Sequence, residues 1–217
     1  MICNNIEQIK SNIPKNVTLV TVSKTKPVSD ILKAHKCNHK HFGENKVQEL
    51  LAKHDKLPKD INWHMIGHLQ RNKVKYIASF IHLIHSVDNI KLLKEINKQG
   101  LKHNKQINIL LQIKIAQEDT KFGMQEETLK EILNLYLQNN FENIKILGFM
   151  GMATNTNNQN QTAHEFNYLY QLFKHYQKLI PEIKHLSMGM SGDYHIAIAQ
   201  GSNMIRVGSA IFGTRNN

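Results

Sequence analysis

An α/β fold, built as one (β/α)8 or TIM barrel, is what this sequence predicts, and three observations predict it. Short apolar segments of strand character alternate with segments of helical spacing, eight times, from TLVTVSK at 18–24 to MIRVGSAIFG at 204–213. No Pro- or Ser-rich linker interrupts the alternation, so the βα units belong to one parallel sheet. The 217 residues suit one large domain, 1–217, better than two. Eight strands favour a closed barrel over a doubly wound sheet, and a barrel does its chemistry where strands end and loops begin.

The elements follow in order. NNIEQIKSNI has helical spacing and leads into the first strand, 18–24, which closes at Pro27 because proline has no amide hydrogen. VSDILKAHK reads as a helix, HKHFGEN as a strand, KVQELLAKHDKL as a helix, NWHMIGH as a strand and RNKVKYIAS as a helix. IHLIHSV is the fourth strand, followed by the amphipathic helix NIKLLKEINKQGLKHN, which stops near Gly100 or a turn later. INILLQIKI is the fifth strand, EETLKEILNLYLQ a helix and IKILGFMGM the sixth strand. The stretch 153–161, ATNTNNQNQ, reads as a surface loop near the mouth. TAHEFNYLYQLFKHYQKL is a helix closed by Pro181, HLSMGMS the seventh strand, YHIAIAQG a short helix and MIRVGSAIFG, 204–213, the eighth strand.

Composition narrows the function classes. A hydrophobic content of 41% supports a sizeable core. The first residues hold no run suited to a signal peptide and nothing later approaches a membrane span, so a cytoplasmic protein is expected. Cys3 and Cys37 lack CxxC spacing and are expected as free thiols. The net charge of +11 comes mostly from lysines spread over the helical segments, without the interleaved aromatics that stack bases. It reads as a solvated surface that helps anionic ligands approach, not as a nucleic-acid site.

Strand ends supply the candidate chemistry. Val20, Val22 and Lys24 share one face, so a lysine ends an apolar column. Desolvation there favours the neutral amine, a nucleophile towards aldehydes; the plain alternative is a solvated lysine. Ser191, Gly208 and Ser209, from the end regions of the seventh and eighth strands, resemble a phosphate cradle of small residues, backbone amides and hydroxyls. Arg206 shares a face with Gly208 and stays charged, a pure donor. Lysine, phosphate donors and an arginine together suit pyridoxal phosphate (PLP), which needs a Schiff-base lysine, a cradle and a partner for its ring nitrogen. His35, His39, His41, His64 and His68 carry no HExxH spacing or paired carboxylate, so no metal is expected. Glu44 reads as a polar strand-end residue before a general base, and Lys26 and Lys121 as mouth charges.

The blocks VSKTKP, HFGENKVQE, WHMIGHLQRNK, LSMGMSGDYHIAI and IRVGSAIFGTR resemble the pyridoxal phosphate homeostasis family, single-domain barrels similar to the N-terminal domain of alanine racemase and to the fold type III PLP-binding barrel. The resemblance runs over nearly the whole chain; FMGMATNT, after the sixth strand, is looser than the family pattern. It implies PLP held as a Schiff base on Lys24, Arg206 facing the pyridine nitrogen, and Ser191, Gly208 and Ser209 holding phosphate. Asn45 and His64 would line the ring side. It implies a monomeric carrier that buffers PLP or supplies it to PLP-dependent apo-enzymes, with no established catalytic residue. The alternative is a racemase-like PLP enzyme. Against it, an arginine at the ring nitrogen disfavours ring protonation, and the sequence continues only to IFGTRNN after the eighth strand, with no second domain to bring a second base.

Overall fold

The computed structural model describes residues 1–118 and 120–213 and shows a closed barrel of eight parallel strands in sequential order. Thr214–Asn217, which include the last two residues of the IRVGSAIFGTR block, and Asp119 lie outside the described residues. The strands are β1 (Thr18–Val22), β2 (His41–Glu44), β3 (Asn62–Met65), β4 (Leu83–Val87), β5 (Ile107–Gln112), β6 (Ile144–Met150), β7 (His185–Ser187) and β8 (Met204–Val207). Around them run α1 (Ile2–Ser11), α2 (Val28–Lys36), α3 (Val47–His54), α4 (Val74–Ile77), α5 (Ile90–Lys102), α6 (Glu126–Leu137), α7 (Gln159–Leu179), α8 (Tyr194–Ala199) and α9 (Ser209–Phe212). Among the described residues, no helix is long and apolar enough to cross a membrane.

Period-2 alternation sorts the strand side chains into two layers. Leu19, Phe42, Trp63, Met65, Ile109, Phe149 and Leu186 face outward into the continuous apolar layer beneath the helices. Val20, Leu83, Leu110, Met150 and Met204 form a smaller cluster inside the barrel. β1 and β8 close the ring in register, Val20 opposite Arg206 and Thr21 opposite Val207.

Several boundaries differ from the sequence reading for local reasons. The eighth strand, expected to reach residue 213, ends at Val207, and α9 takes over. The Gly208 amide donates to Ser191 Oγ, 3.3 Å away, instead of extending the ladder. α5 ends at Lys102, just past Gly100 as expected, and that glycine lets the helix lie against a neighbouring loop, where a methyl would sit 2.6 Å from Asn143 O. α7 begins at Gln159, inside the expected loop, because the Asn158 side chain caps it by accepting from the Gln161 amide at 3.2 Å. Cys3 and Cys37 also depart from the expectation of free thiols. α1 packs on α2 and brings the two cysteines together as a disulfide, with Cα atoms 5.8 Å apart. Their separation of 34 residues carries no spacing signal.

Candidate functional site

A cavity of about 340 Å³ opens at the C-terminal ends of the strands. Its volume lies within the range of small-molecule sites. Val22 and Lys24 from the end of β1, Asn45 after β2, Ile66 after β3, Ser191 and Gly192 after β7, and Arg206, Gly208 and Ser209 from the end of β8 all line it. A barrel positions these residues because each strand stops at the same rim and hands the chain to a loop there.

Lys24 follows β1 in a tight turn closed by the Lys26 amide donating to Ser23 O at 3.0 Å. Thr25 takes the left-handed conformation, φ 65°. Its amide donates to the Glu49 carboxylate. Behind the turn lies a buried ion network: Lys53 Nζ donates to Ser23 O at 2.7 Å, to Glu44 Oε1 at 2.8 Å and to Glu49 Oε1 at 2.7 Å. Ser23 Oγ adds a 2.6 Å bond to Glu44. Burial raises the Glu44 pKa while Lys53 opposes the shift. Glu44 therefore points away from the cavity, and the network fixes the backbone on either side of Lys24. Asn45 is seated by Gly67, where a methyl would lie 2.7 Å from Asn45 Cα.

Across the β1–β8 seam, small residues expose the backbone. The first turn hydrogen bond of α9 is Ile211 N–H to Gly208 O, so the amides of Ser209 and Ala210 precede it. After β7, the Asp193 amide donates to Met190 O, and the amides of Ser191 and Gly192 precede that bond. A methyl on Gly192 would meet nothing within 4 Å, while one on Gly208 would press on Val22 O at 3.1 Å. Lys26 Nζ lies 3.4 Å from the carbonyls of Phe212 and Gly213, a cation at the same rim.

Arg206 is buried at the base of the cavity. Its Nη1 donates to Ser187 O at 2.8 Å and to Ser187 Oγ at 2.6 Å, and its Nη2 to Gly151 O at 3.0 Å. Burial lowers its pKa to about 10 and Asp193 opposes the shift, so the guanidinium remains charged at neutral pH. From Ser187 a row of rings crosses the barrel: Ser187 Oγ to His85 Nδ1 at 3.1 Å, His85 Nε2 to His64 Nδ1 at 2.9 Å, and His64 Nε2 to His41 Nδ1 at 2.9 Å. Burial drives the pKa values of His64 and His85 well down, with the Arg206 guanidinium adding to it at His85, and burial takes that of His41 to about 4. The row is neutral at physiological pH.

Six of the seven residues named from the sequence line the cavity: Lys24, Asn45, Ser191, Arg206, Gly208 and Ser209. His64 does not. The sequence reading puts it on the ring side, but strand alternation places it one layer deeper, fully buried between His41 and His85. Lys121, expected at the mouth, pairs with Glu118 at 3.4 Å. Sequence reasoning misses Ser187 and the Gly151 carbonyl as the groups that orient Arg206, and Lys53 as the support of the Lys24 turn. Ser187 is findable, since it lies in the segment HLSMGMS that leads to Ser191; Lys53 lies in the last turn of α3 and gives no signal.

The family model described as the alanine racemase N-terminal domain matches residues 1–216. A pyridoxal phosphate homeostasis protein of Aquifex aeolicus is 38% identical over 199 residues, covering 91% of this chain and 86% of the relative. A protein of the same name from Vibrio alginolyticus is 36% identical, covering 98% and 97%. Among solved structures, PipY of Synechococcus elongatus PCC7942 with PLP bound superposes with a TM-score of 0.90 at 31% identity, covering 98% of this chain and 100% of that one. This chain thus belongs to the pyridoxal phosphate homeostasis protein family, within the group that shares the alanine racemase N-terminal domain.

Proposed function

We propose that this protein binds pyridoxal 5′-phosphate as a Schiff base on Lys24 and buffers or supplies it inside the cell, without substantial turnover of its own. The observation that carries the reading is the convergence of Lys24, Arg206 and the Ser191/Gly208/Ser209 rim on one cavity. The donor set fits a phosphorylated pyridine aldehyde. An amine can take the aldehyde, two hydroxyls and the adjacent amides can take a phosphate, and a buried cation that only donates can face the ring nitrogen. The PLP-bound relative supports the same cofactor. When bound, PLP supplies the reactive aldehyde and an electron-accepting ring. Arg206, held by Ser187 and Gly151, keeps a positive charge where a ring proton would otherwise go, which weakens that electron sink. A cytoplasmic monomer that hands PLP to apo-enzymes completes the reading.

The alternative, a racemase-like PLP enzyme, draws support from the matching family model. One set of measurements separates them. Borohydride reduction followed by peptide mapping is expected to find the adduct on Lys24 and to lose it in Lys24→Ala; an adduct elsewhere overturns the assignment. A panel of L- and D-amino acids analysed by chiral chromatography is expected to show no turnover near the ~1–10³ per second typical of enzymes. Sustained turnover of any one of them would favour the racemase-like reading. Transfer of PLP to an apo-enzyme tests the supply role.

A further inference from the structure

The end of the barrel opposite the cavity carries a second cluster of functional groups. His41 opens β2, His64 sits on β3 and His82 immediately precedes β4, and one nitrogen of each ring lies within 4.8 Å of one nitrogen of each of the other two. The ring centroids form a near-regular triangle with sides of 5.2, 5.2 and 5.7 Å. Three imidazoles about one tetrahedral zinc ion, each nitrogen ~2.0–2.1 Å from the metal, would place their centroids roughly 5.2 Å apart. We propose that His41, His64 and His82 form a binding site for a divalent transition-metal ion of the zinc class on the barrel floor.

The ligand type selects the class, because three neutral imidazoles without a carboxylate suit zinc, nickel or copper and not magnesium or calcium. His41 and His82 both reach solvent, so an ion can enter and keep water as its fourth ligand. Seating it needs small movements: the His41 Nδ1 to His64 Nε2 pair opens from 2.9 Å to about 3.3 Å, and His82 swings inward.

The supporting shell is already in place. His64 Nδ1 faces His85 Nε2 at 2.9 Å, and His85 Nδ1 faces Ser187 Oγ at 3.1 Å. A ligating histidine is usually fixed by a hydrogen bond from its other nitrogen. With the ion on His64 Nε2, the ring proton sits on Nδ1 and is donated to His85. His85 then donates to Ser187 Oγ, the oxygen that also receives Arg206. No proton is lost, since His41 carries its own on Nε2.

The test is calorimetric titration of ZnCl₂ into protein stripped of metal by chelation, with and without saturating PLP, repeated with Co²⁺ to read coordination from the visible spectrum. Wild type is expected to bind one ion per chain with a tetrahedral cobalt spectrum. His41→Ala and His82→Ala are each expected to weaken binding at least tenfold. His68→Ala, an exposed histidine stacked on Phe122, is expected to leave it unchanged. Thermal midpoints in chelator, equal to wild type, show that the variants fold. Binding as tight in the variants as in wild type, binding lost on adding PLP, or no stoichiometric binding at all would each overturn the proposal.

Discussion

Replacing Lys53 by methionine removes the cation from a network that is almost entirely dry: the Lys53 side chain is 6% exposed and that of Glu44 0%. The substitution deletes the three hydrogen bonds from Nζ and leaves Glu44 as a buried carboxylate with only Ser23 as donor. Breaking one side of a buried pair costs about 3–5 kcal/mol. For a chain of this size that lowers the melting midpoint by about 6–20 °C. The pH dependence gives a sharper readout. Burial already raises the Glu44 pKa against the pull of Lys53, and without Lys53 it rises further. A carboxyl whose folded pKa exceeds its unfolded value of about 4.3 binds more protons when folded. Its stabilising contribution is present below that value and is lost as pH rises through the folded pKa. The deficit of Lys53→Met against wild type is therefore expected to be small near pH 5 and to grow towards pH 8, as measured by urea denaturation at several pH values. Lys53→Met/Glu44→Leu is expected to regain most of the loss, because an apolar pair replaces the stranded charge. A deficit that is flat with pH or larger in acid, or a double variant as unstable as the single one, would refute the reasoning.

Ser191→Ala and Ser209→Ala are each expected to weaken PLP retention by about 1–3 kcal/mol, roughly 5- to 150-fold, as seen by fluorescence titration, and pyridoxal without its phosphate should bind wild type far more weakly. Equal affinity for the two forms would remove the cradle. Gly67→Ala is expected to lower stability by about 1–3 kcal/mol and loosen PLP binding, because the methyl drives into the Asn45 backbone; an unchanged urea midpoint would contradict that contact. The folded pKa values of His39 and His41 lie at about 4, below the unfolded value near 6.5, so the folded state binds fewer protons. Stability is accordingly expected to fall as pH drops from 6.5 towards 4, and a level urea midpoint across that range would show these rings charging freely in the fold.

Much of the barrel and its rim is legible in the sequence, for a physical reason. The period-2 pattern of TLVTVSK fixes both the strand and the side on which Lys24 emerges, and MIRVG does the same for Arg206. The barrel rule then brings those ends to one rim. What pattern does not carry is depth along the barrel axis. His64 and Asn45 both read as inward-facing, yet one lies a layer below the cavity and the other at its mouth. The histidine cluster is hidden in the sequence because its members come from three separate segments, and only the pairing of β2, β3 and β4 makes neighbours of His41, His64, His82 and His85. The end of the eighth strand is hidden for the opposite reason: SAIF is apolar enough to continue a strand, and only the turn at Gly208 ends it.

The seam between β1 and β8 gives the cavity an unusual dependence on the whole chain. Lys26 reaches the carbonyl of Phe212 across 186 positions, and the groups proposed to hold opposite ends of the cofactor stand on either side of that same join. One half of the cavity comes from β1 and the other from β8, so no folding intermediate in which these two strands are unpaired can possess it. Ring closure of this kind carries the largest chain-entropy cost in the molecule. A ligand that grips both sides acts as a clasp on the join, and by mass action it withdraws open barrels from the population. The cofactor supply and the fraction of closed protein are coupled, so scarcity of one would register as fraying of the other.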